Sequence, residues 1–209
     1  MNVDILKEQI MLHAARLKEQ RLSSEVGDLY AARIDDNKFI CTPIDKAPDK
    51  VAANEFVELS ISDAPTEYAL VASIFKARAD VGAVLVDAAH YSAIAAKSVK
   101  KFRPALDDMA QIVGPSVRRA SLDSASVIKA MKGRNACITE KGSITAGRTA
   151  DEAFTTALVL EKGSRIFVLA KKVGGAKLIG RFDAVLMHFV YRKKYSKVDQ
   201  SAKMNEAKE

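Results

Sequence analysis

The chain is poor in cysteine: 209 residues carry only Cys41 and Cys137. Two cysteines cannot build a disulfide framework, so a reducing compartment is expected. Both fall in segments that read as strands, where a thiol behaves as a small buried hydrophobe. No apolar run reaches the length of a membrane span, and the polar, acidic N-terminus has no signal-peptide pattern. These absences predict a cytoplasmic protein with no membrane partner. Aromatic residues are also scarce, at 6%, and no RNA-binding aromatic motif is visible. The formal net charge is +7, but the basic residues are scattered, with local clusters at Lys97–Arg103 and Arg192–Lys194. A solvated basic face is the expectation and nucleic-acid binding is not. The 48% apolar content suits one domain. We place it at residues 1–196, followed by a polar, lysine-rich tail, 197–209, expected to be disordered. There is no repeat and no internal linker.

Hydrophobic spacing predicts the elements. Ile5, Leu6, Ile10, Leu17 and Leu22 recur with helical period across residues 4–22. Leu29–Ile34 and Lys38–Thr42 read as strands joined by the turn Asp35-Asp36-Asn37, and Phe56–Ile61 as a third. A helix is expected from Thr66, after Pro65, to Arg78. Ala83–Val86 is a short apolar run between turn signals, hence a buried strand. Helices follow at Tyr91–Lys100, Leu106–Ile112 and Ser124–Met131, then strands at Ala136–Thr139 and Ser143–Thr145 around Gly142. Thr149 and Glu152 have the spacing of a capping box and open a long helix that Gly174-Gly175 stops. Phe182–Tyr195 is a final amphipathic helix. This mixture argues for one α/β domain.

Two stretches carry a resemblance. Val81-Gly-Ala-Val-Leu-Val-Asp-Ala-Ala-His-Tyr reads as a strand entering a helix. Ala136-Cys-Ile-Thr-Glu-Lys-Gly-Ser-Ile-Thr-Ala-Gly-Arg-Thr-Ala-Asp-Glu-Ala-Phe reads as strand, glycine turn, strand and capped helix. Together with Gly27-Asp-Leu-Tyr-Ala-Ala-Arg, Phe39-Ile-Cys-Thr-Pro and Ala64-Pro-Thr-Glu-Tyr, in this order, they resemble the class II aldolase/adducin family over residues 5–190. The resemblance implies a three-layer α/β/α sandwich with a mixed, largely antiparallel central sheet, and a homo-oligomer, commonly a tetramer. It implies enzymes that cleave, form, epimerise or dehydrate phosphorylated sugars, alongside adducin heads that act in assembly with partner proteins.

Such enzymes hold zinc with three histidines, two in a His-x-His and one in an Asn-His-Gly segment. The matching positions here are Val86, Ala88 and Lys141. Valine and alanine have no lone pair and a charged lysine repels a cation, so no metal cofactor is expected. Glu67 matches the family's proton-handling glutamate. Thr66 keeps a phosphate-binding hydroxyl, Pro65 loses one together with its amide, and Ile44 replaces a glycine. Asp28 stands where an asparagine binds phosphate, and Glu25 where a threonine does. At about 5 Å and an effective dielectric near 20, each carboxylate opposes each unit of phosphate charge by roughly 3 kcal/mol, about two decades of affinity. The candidate ligand-binding residues are therefore Asp28, Arg33, Thr42, Thr66, His90 and Gly142, and the candidate catalytic pair is Glu67 and Lys141. A replacement metal site could draw only on Glu67, Asp87 and His90. His13 and His188 are expected to pack on helices. The resulting expectation is a degenerate family member without zinc-dependent aldolase activity, acting as a structural, regulatory or ligand-binding oligomer. The alternative is a lyase-type or sugar-converting enzyme that uses Glu67 and Lys141, for example through a Schiff base on the lysine.

Overall fold

The computed structural model describes residues 2–206 except 21 and 23, with side chains to Lys194. Helix α1 (Val3–Glu19) starts at Asn2, whose side chain accepts the Asp4 amide. Strands β1 (Leu29–Arg33) and β2 (Lys38–Cys41) form the expected hairpin, and Asp35 Oδ1 accepts the amides of Asn37 and Lys38 across its turn. Strand β3 (Val57–Ser60) follows, then a single 3-10 turn and helix α2 (Ala69–Ala77), strand β4 (Ala83–Asp87) and helix α3 (His90–Ser98). Two-residue strands β5 (Lys101–Phe102) and β6 (Val117–Arg118) pair with each other and enclose a π-helical turn, Met109–Val113. Helix α4 (Ser124–Met131), the hairpin β7 (Ala136–Thr139) and β8 (Gly142–Gly147), and helices α5 (Ala150–Lys172) and α6 (Arg181–Glu206) complete the chain.

The central sheet has the order β3-β2-β1-β4-β8-β7. Each of its strand pairings is antiparallel, and the parallel component is an isolated bridge between Arg119 and Ile138. Strand alternation sorts the core into two faces. Leu29, Ala31, Phe39, Cys41, Val84, Ile144 and Ala146 face α2 and α4. Tyr30, Ala32, Ile40, Ala83 and Leu85 face α1 and α5. A third cluster joins α3, the π-turn and the far half of α5 over β7. The result is the expected α/β/α sandwich.

Local chemistry sets the ends of α5. Thr149 Oγ1 accepts the Glu152 amide at 3.1 Å, while Glu152 Oε2 takes the Arg148 amide at 2.7 Å, one residue before the position a regular capping box would use. Gly174 and Gly175 both have positive φ, and the Gly175 amide reaches back to Ala170 O, the αL stop that favours glycine. Helix α6 runs on past the expected end at Tyr195. The expected tail, 197–209, lies outside the described residues in its side chains and in 207–209 altogether. Cys41 and Cys137 are free and buried, and burial pushes the Cys137 thiol up to about 12.

Candidate functional site

The candidate site lies where the C-terminal end of β4 meets the β7–β8 hairpin. Thr139 Oγ1 accepts the amides of Lys141 and Gly142 at 3.3 and 3.1 Å, which turns the hairpin tightly and leaves Lys141 exposed at its tip. A Cβ at Gly142 would stand 1.8 Å from Asp87 O. Glycine is therefore what lets the hairpin touch the end of β4, and a packing role accounts for this residue.

Alternation along β4 separates the residues of interest. Val86 is in register with Ile144 and packs on the core beneath α2 and α4. Ala88, next on the chain after Asp87, is exposed. Asp87 points to the opposite face, in register with Ser143, whose hydroxyl donates to Asp87 Oδ1 at 2.6 Å. The Ala89 amide donates to the same oxygen at 3.3 Å. Burial raises the Asp87 carboxyl to about 7; the Ser143 bond opposes this, and the charges of Asp28 and Glu161 add to it. Glu161, buried on α5, accepts the Tyr91 amide at 2.5 Å, the Ser92 amide at 2.9 Å and the Ser92 hydroxyl at 2.7 Å. Ala89, the N-cap of α3, has no capping side chain, so a glutamate from another helix caps α3 and complements its dipole.

Expectation did not single out this buried Asp87–Ser143 and Glu161–Ser92 network. A signal existed: Glu161 lies four residues after Ala157 and seven after Phe154, on the side of α5 that these apolar residues mark.

The resemblance-derived ligand residues are placed as follows. Thr42 is fully buried, its hydroxyl accepting the Tyr30 amide at 3.0 Å as part of the β1–β2 ladder. Arg33 donates to Val81 O at 2.9 Å, Phe75 O at 2.6 Å and Arg78 O at 3.1 Å, and stacks over the Phe75 ring. It thus caps the C-terminal end of α2, and burial lowers its pKa. Asp28 is buried and accepts the Glu25 amide at 2.9 Å. The Gly27 amide donates to Ile44 O, the Asp28 amide to Glu25 O, and the Ile44 amide to the Tyr68 hydroxyl at 3.3 Å. The Glu25, Gly27, Asp28 and Ile44 amides are thus bonded within the fold. Thr66, Glu67 and His90 are exposed, as is Lys141, and His90 meets the Tyr91 ring edge-on.

Neither Glu67 nor Lys141 is in an ion pair with any described residue. Of the cavities described, the roomiest, about 290 Å³, lies between Val99, Arg103, Phe167 and Leu178, and neither residue lines it. Among the described residues no three His, Cys, Asp or Glu side chains stand together to hold a metal. Val86 and Ala88 offer no donor atom, Lys141 offers a cation, and Asp87 is turned to the other face of the sheet. These residues do not fit a zinc ion.

None of the described helices is long and apolar enough to cross a membrane. No curated protein matches the sequence significantly. Solved structures do resemble the fold. An L-fuculose 1-phosphate aldolase superposes with a TM-score of 0.82 at 18% identity, over 90% of this chain and 96% of that one. L-fuculose-1-phosphate aldolase from Thermus thermophilus gives 0.72 at 15%, over 84% and 98%. A sugar-phosphate aldolase from Thermotoga maritima gives 0.64 at 12%, over 82% and 97%. At these identities the likeness is one of fold. The sequence profile of the class II aldolase and adducin N-terminal domain matches residues 8–168, which takes in both stretches that carry the resemblance and most of the sandwich. The chain therefore belongs to the class II aldolase and adducin N-terminal domain family.

Proposed function

We propose that this chain has left zinc-dependent aldol chemistry and serves as a structural, regulatory or ligand-binding oligomer built on the aldolase scaffold. One observation carries the reading. At the positions that resemblance assigns to the zinc ligands, the chain places a valine packed against the core, an alanine and a surface lysine, and the carboxylate between the first two, Asp87, is held on the other face by Ser143. The loop of Asp28 adds a second, independent argument. The Glu25, Gly27 and Asp28 amides are engaged within the fold and the Asp28 carboxylate opposes a phosphate.

Metal content per chain tests this, by elemental mass spectrometry on tag-free protein purified without chelator. The expected result is far below one zinc, manganese, iron or cobalt per chain, together with no cleavage of L-fuculose 1-phosphate, the substrate named for two of the similar structures. One metal per chain, or metal-dependent cleavage, would overturn the reading. A second reading is metal-independent catalysis by Glu67 and Lys141, and their exposure without an ion pair favours it. Borohydride trapping of a carbonyl substrate that disappears in Lys141→Ala would establish it.

A further inference from the structure

The cavity of about 290 Å³ shares no residue with the candidate site. Its floor is one face of α5, where Gly163, Phe167 and Ala170 follow at i, i+4 and i+7. A Cβ at Gly163 would stand 2.3 Å from Met109 Sδ, so glycine lets α5 close on the π-turn and leaves the floor clear at that position. Phe167 stacks on Phe102 with ring centroids 4.6 Å apart, which holds its ring in place. Two segments supply the walls: Val99, Arg103 and Ala105 after α3, and Gly175, Ala176 and Leu178 between α5 and α6. The Ile179 amide bonds Pro104 O at 3.0 Å and ties one wall to the other.

The lining is apolar apart from two cations: Arg103, half-buried, and Lys171, exposed in the last turn of α5. No acidic side chain lines the cavity, and neither cation is in an ion pair with any described residue. An apolar cavity with a small number of charged groups is the usual form of a small-molecule site. Charge of one sign, unmatched within the fold, selects a ligand of the other sign. Volume sets its size: an apolar cavity of about 150 Å³ takes benzene, so this one takes a substituted ring or a chain of about eight carbons.

We propose that this cavity binds a small carboxylate with an apolar body, its tail on Phe167 and its carboxylate held by Arg103 and Lys171. Phosphate and phosphorylated sugars do not suit it. A phosphate draws on several converging backbone donors, and here the Gly175 and Ile179 amides are already bonded to Ala170 O and Pro104 O. A carboxylate needs fewer, because the planar fork of an arginine fits its two oxygens. The tail gains by leaving water: Leu178 is 39% exposed, apolar surface that a bound chain would cover. The proposal does not rest on the loss of zinc chemistry, so the metal measurement and the test of this cavity succeed or fail separately.

Titration calorimetry with octanoate, kept below its micelle concentration, tests this on the full chain. One saturable site per chain is expected, with a Kd of roughly 1 mM or tighter for a ligand of this size. Octanol, which has the tail without the charge, should bind about tenfold more weakly, and so should octanoate to Arg103→Ala, which loses a charge-assisted bond. Ala170→Phe, which fills the cavity, should abolish binding while the far-ultraviolet spectrum is kept. If either variant fails to fold, Lys171→Ala, at an exposed position, still tests the charge and should weaken octanoate severalfold. Bound octanoate should also slow hydrogen exchange in the segment 175–179. Four outcomes would overturn the proposal. Octanoate that does not saturate by about 10 mM means no site. Octanol binding as tightly as octanoate means that the cations take no part. Octanoate binding undiminished in Ala170→Phe places the site elsewhere. Inorganic phosphate that displaces octanoate at equal concentration means a site for polar anions.

Discussion

At the scale of single residues, Asp87 departs most from its surroundings. It follows four buried or partly buried apolar residues of β4 and is itself buried, with Ser143 and the Ala89 amide as partners. Its carboxyl titrates near 7 in the folded chain, against 3.8 for an ordinary aspartate. Between those values the folded protein holds a proton that the unfolded chain has released, so stability falls as pH rises from about 4 to about 7. Each pKa unit corresponds to about 1.4 kcal/mol, and the contribution is therefore up to a few kcal/mol. Asp87→Asn, which still accepts the Ser143 hydroxyl, should flatten this slope and make the protein more stable than wild type at pH 8. Urea midpoints measured at pH 5 and pH 8 check it; a variant that keeps the wild-type slope would show that other groups titrate. Asp87 stood out in the sequence only as a spare ligand. Its real surroundings come from Asp28, Ser143 and Glu161, which are remote along the chain.

At the scale of elements, α3 depends on α5. Helix α3 has no side-chain cap of its own, and Glu161 supplies both acceptors for its first amides. Glu161→Ala would leave the Tyr91 and Ser92 amides without their acceptor and the Ser92 hydroxyl with only Ser164 Oγ at 3.2 Å. A loss of about 3 kcal/mol is expected, with faster hydrogen exchange at Tyr91 and Ser92, whereas Glu161→Gln should cost less because one acceptor oxygen remains. Unchanged exchange at those amides would mean that water or another group caps α3. The helices with local signals were legible: Ser124–Met131 matched residue for residue, and the Thr149 and Gly174 boundaries held to within about a residue. The strands β5 and β6 were not, because two residues cannot show an alternation. The π-turn, Met109–Val113, overlaps the expected Leu106–Ile112 helix and ends one residue beyond it, since its wider winding leaves no mark on apolar spacing over one turn.

At the scale of the molecule, α6 is attached by polar contacts that its sequence does not announce. Arg148 Nη2 donates to Arg192 O at 2.8 Å, Arg192 Nη2 reaches Asp80 at 3.2 Å, and Asp80 also takes the Arg78 guanidinium at 2.7 and 2.8 Å. The Arg78 guanidinium holds the Asp80 carboxyl below its ordinary range. The Asp80 carboxylate is partly open to solvent, which screens these pairs. Asp80→Ala should therefore cost only about 1 kcal/mol globally while speeding hydrogen exchange along Arg181–Arg192. Equal exchange in the variant would show that the Arg148–Arg192 and His188–Gln111 bonds and the burial of Ala184 hold the helix without Asp80.

The sequence by itself determined the order of the longer strands and helices, the cap and stop of α5, the apolar stripe of the last helix and the identity of Val86, Ala88 and Lys141. These are properties of neighbours along the chain, and periodicity and composition report them. Only the tertiary structure decided which polar groups meet. Arg33 resembled an anion ligand, yet its guanidinium closes the end of α2; Thr42 resembled a phosphate contact, yet its hydroxyl serves the β1–β2 ladder. Glu161 read as one more residue of a helix, yet it caps another. A side chain bonds whatever donor or acceptor the fold brings within about 3 Å, and that partner can stand 70 residues away, as the Tyr91 amide does for Glu161.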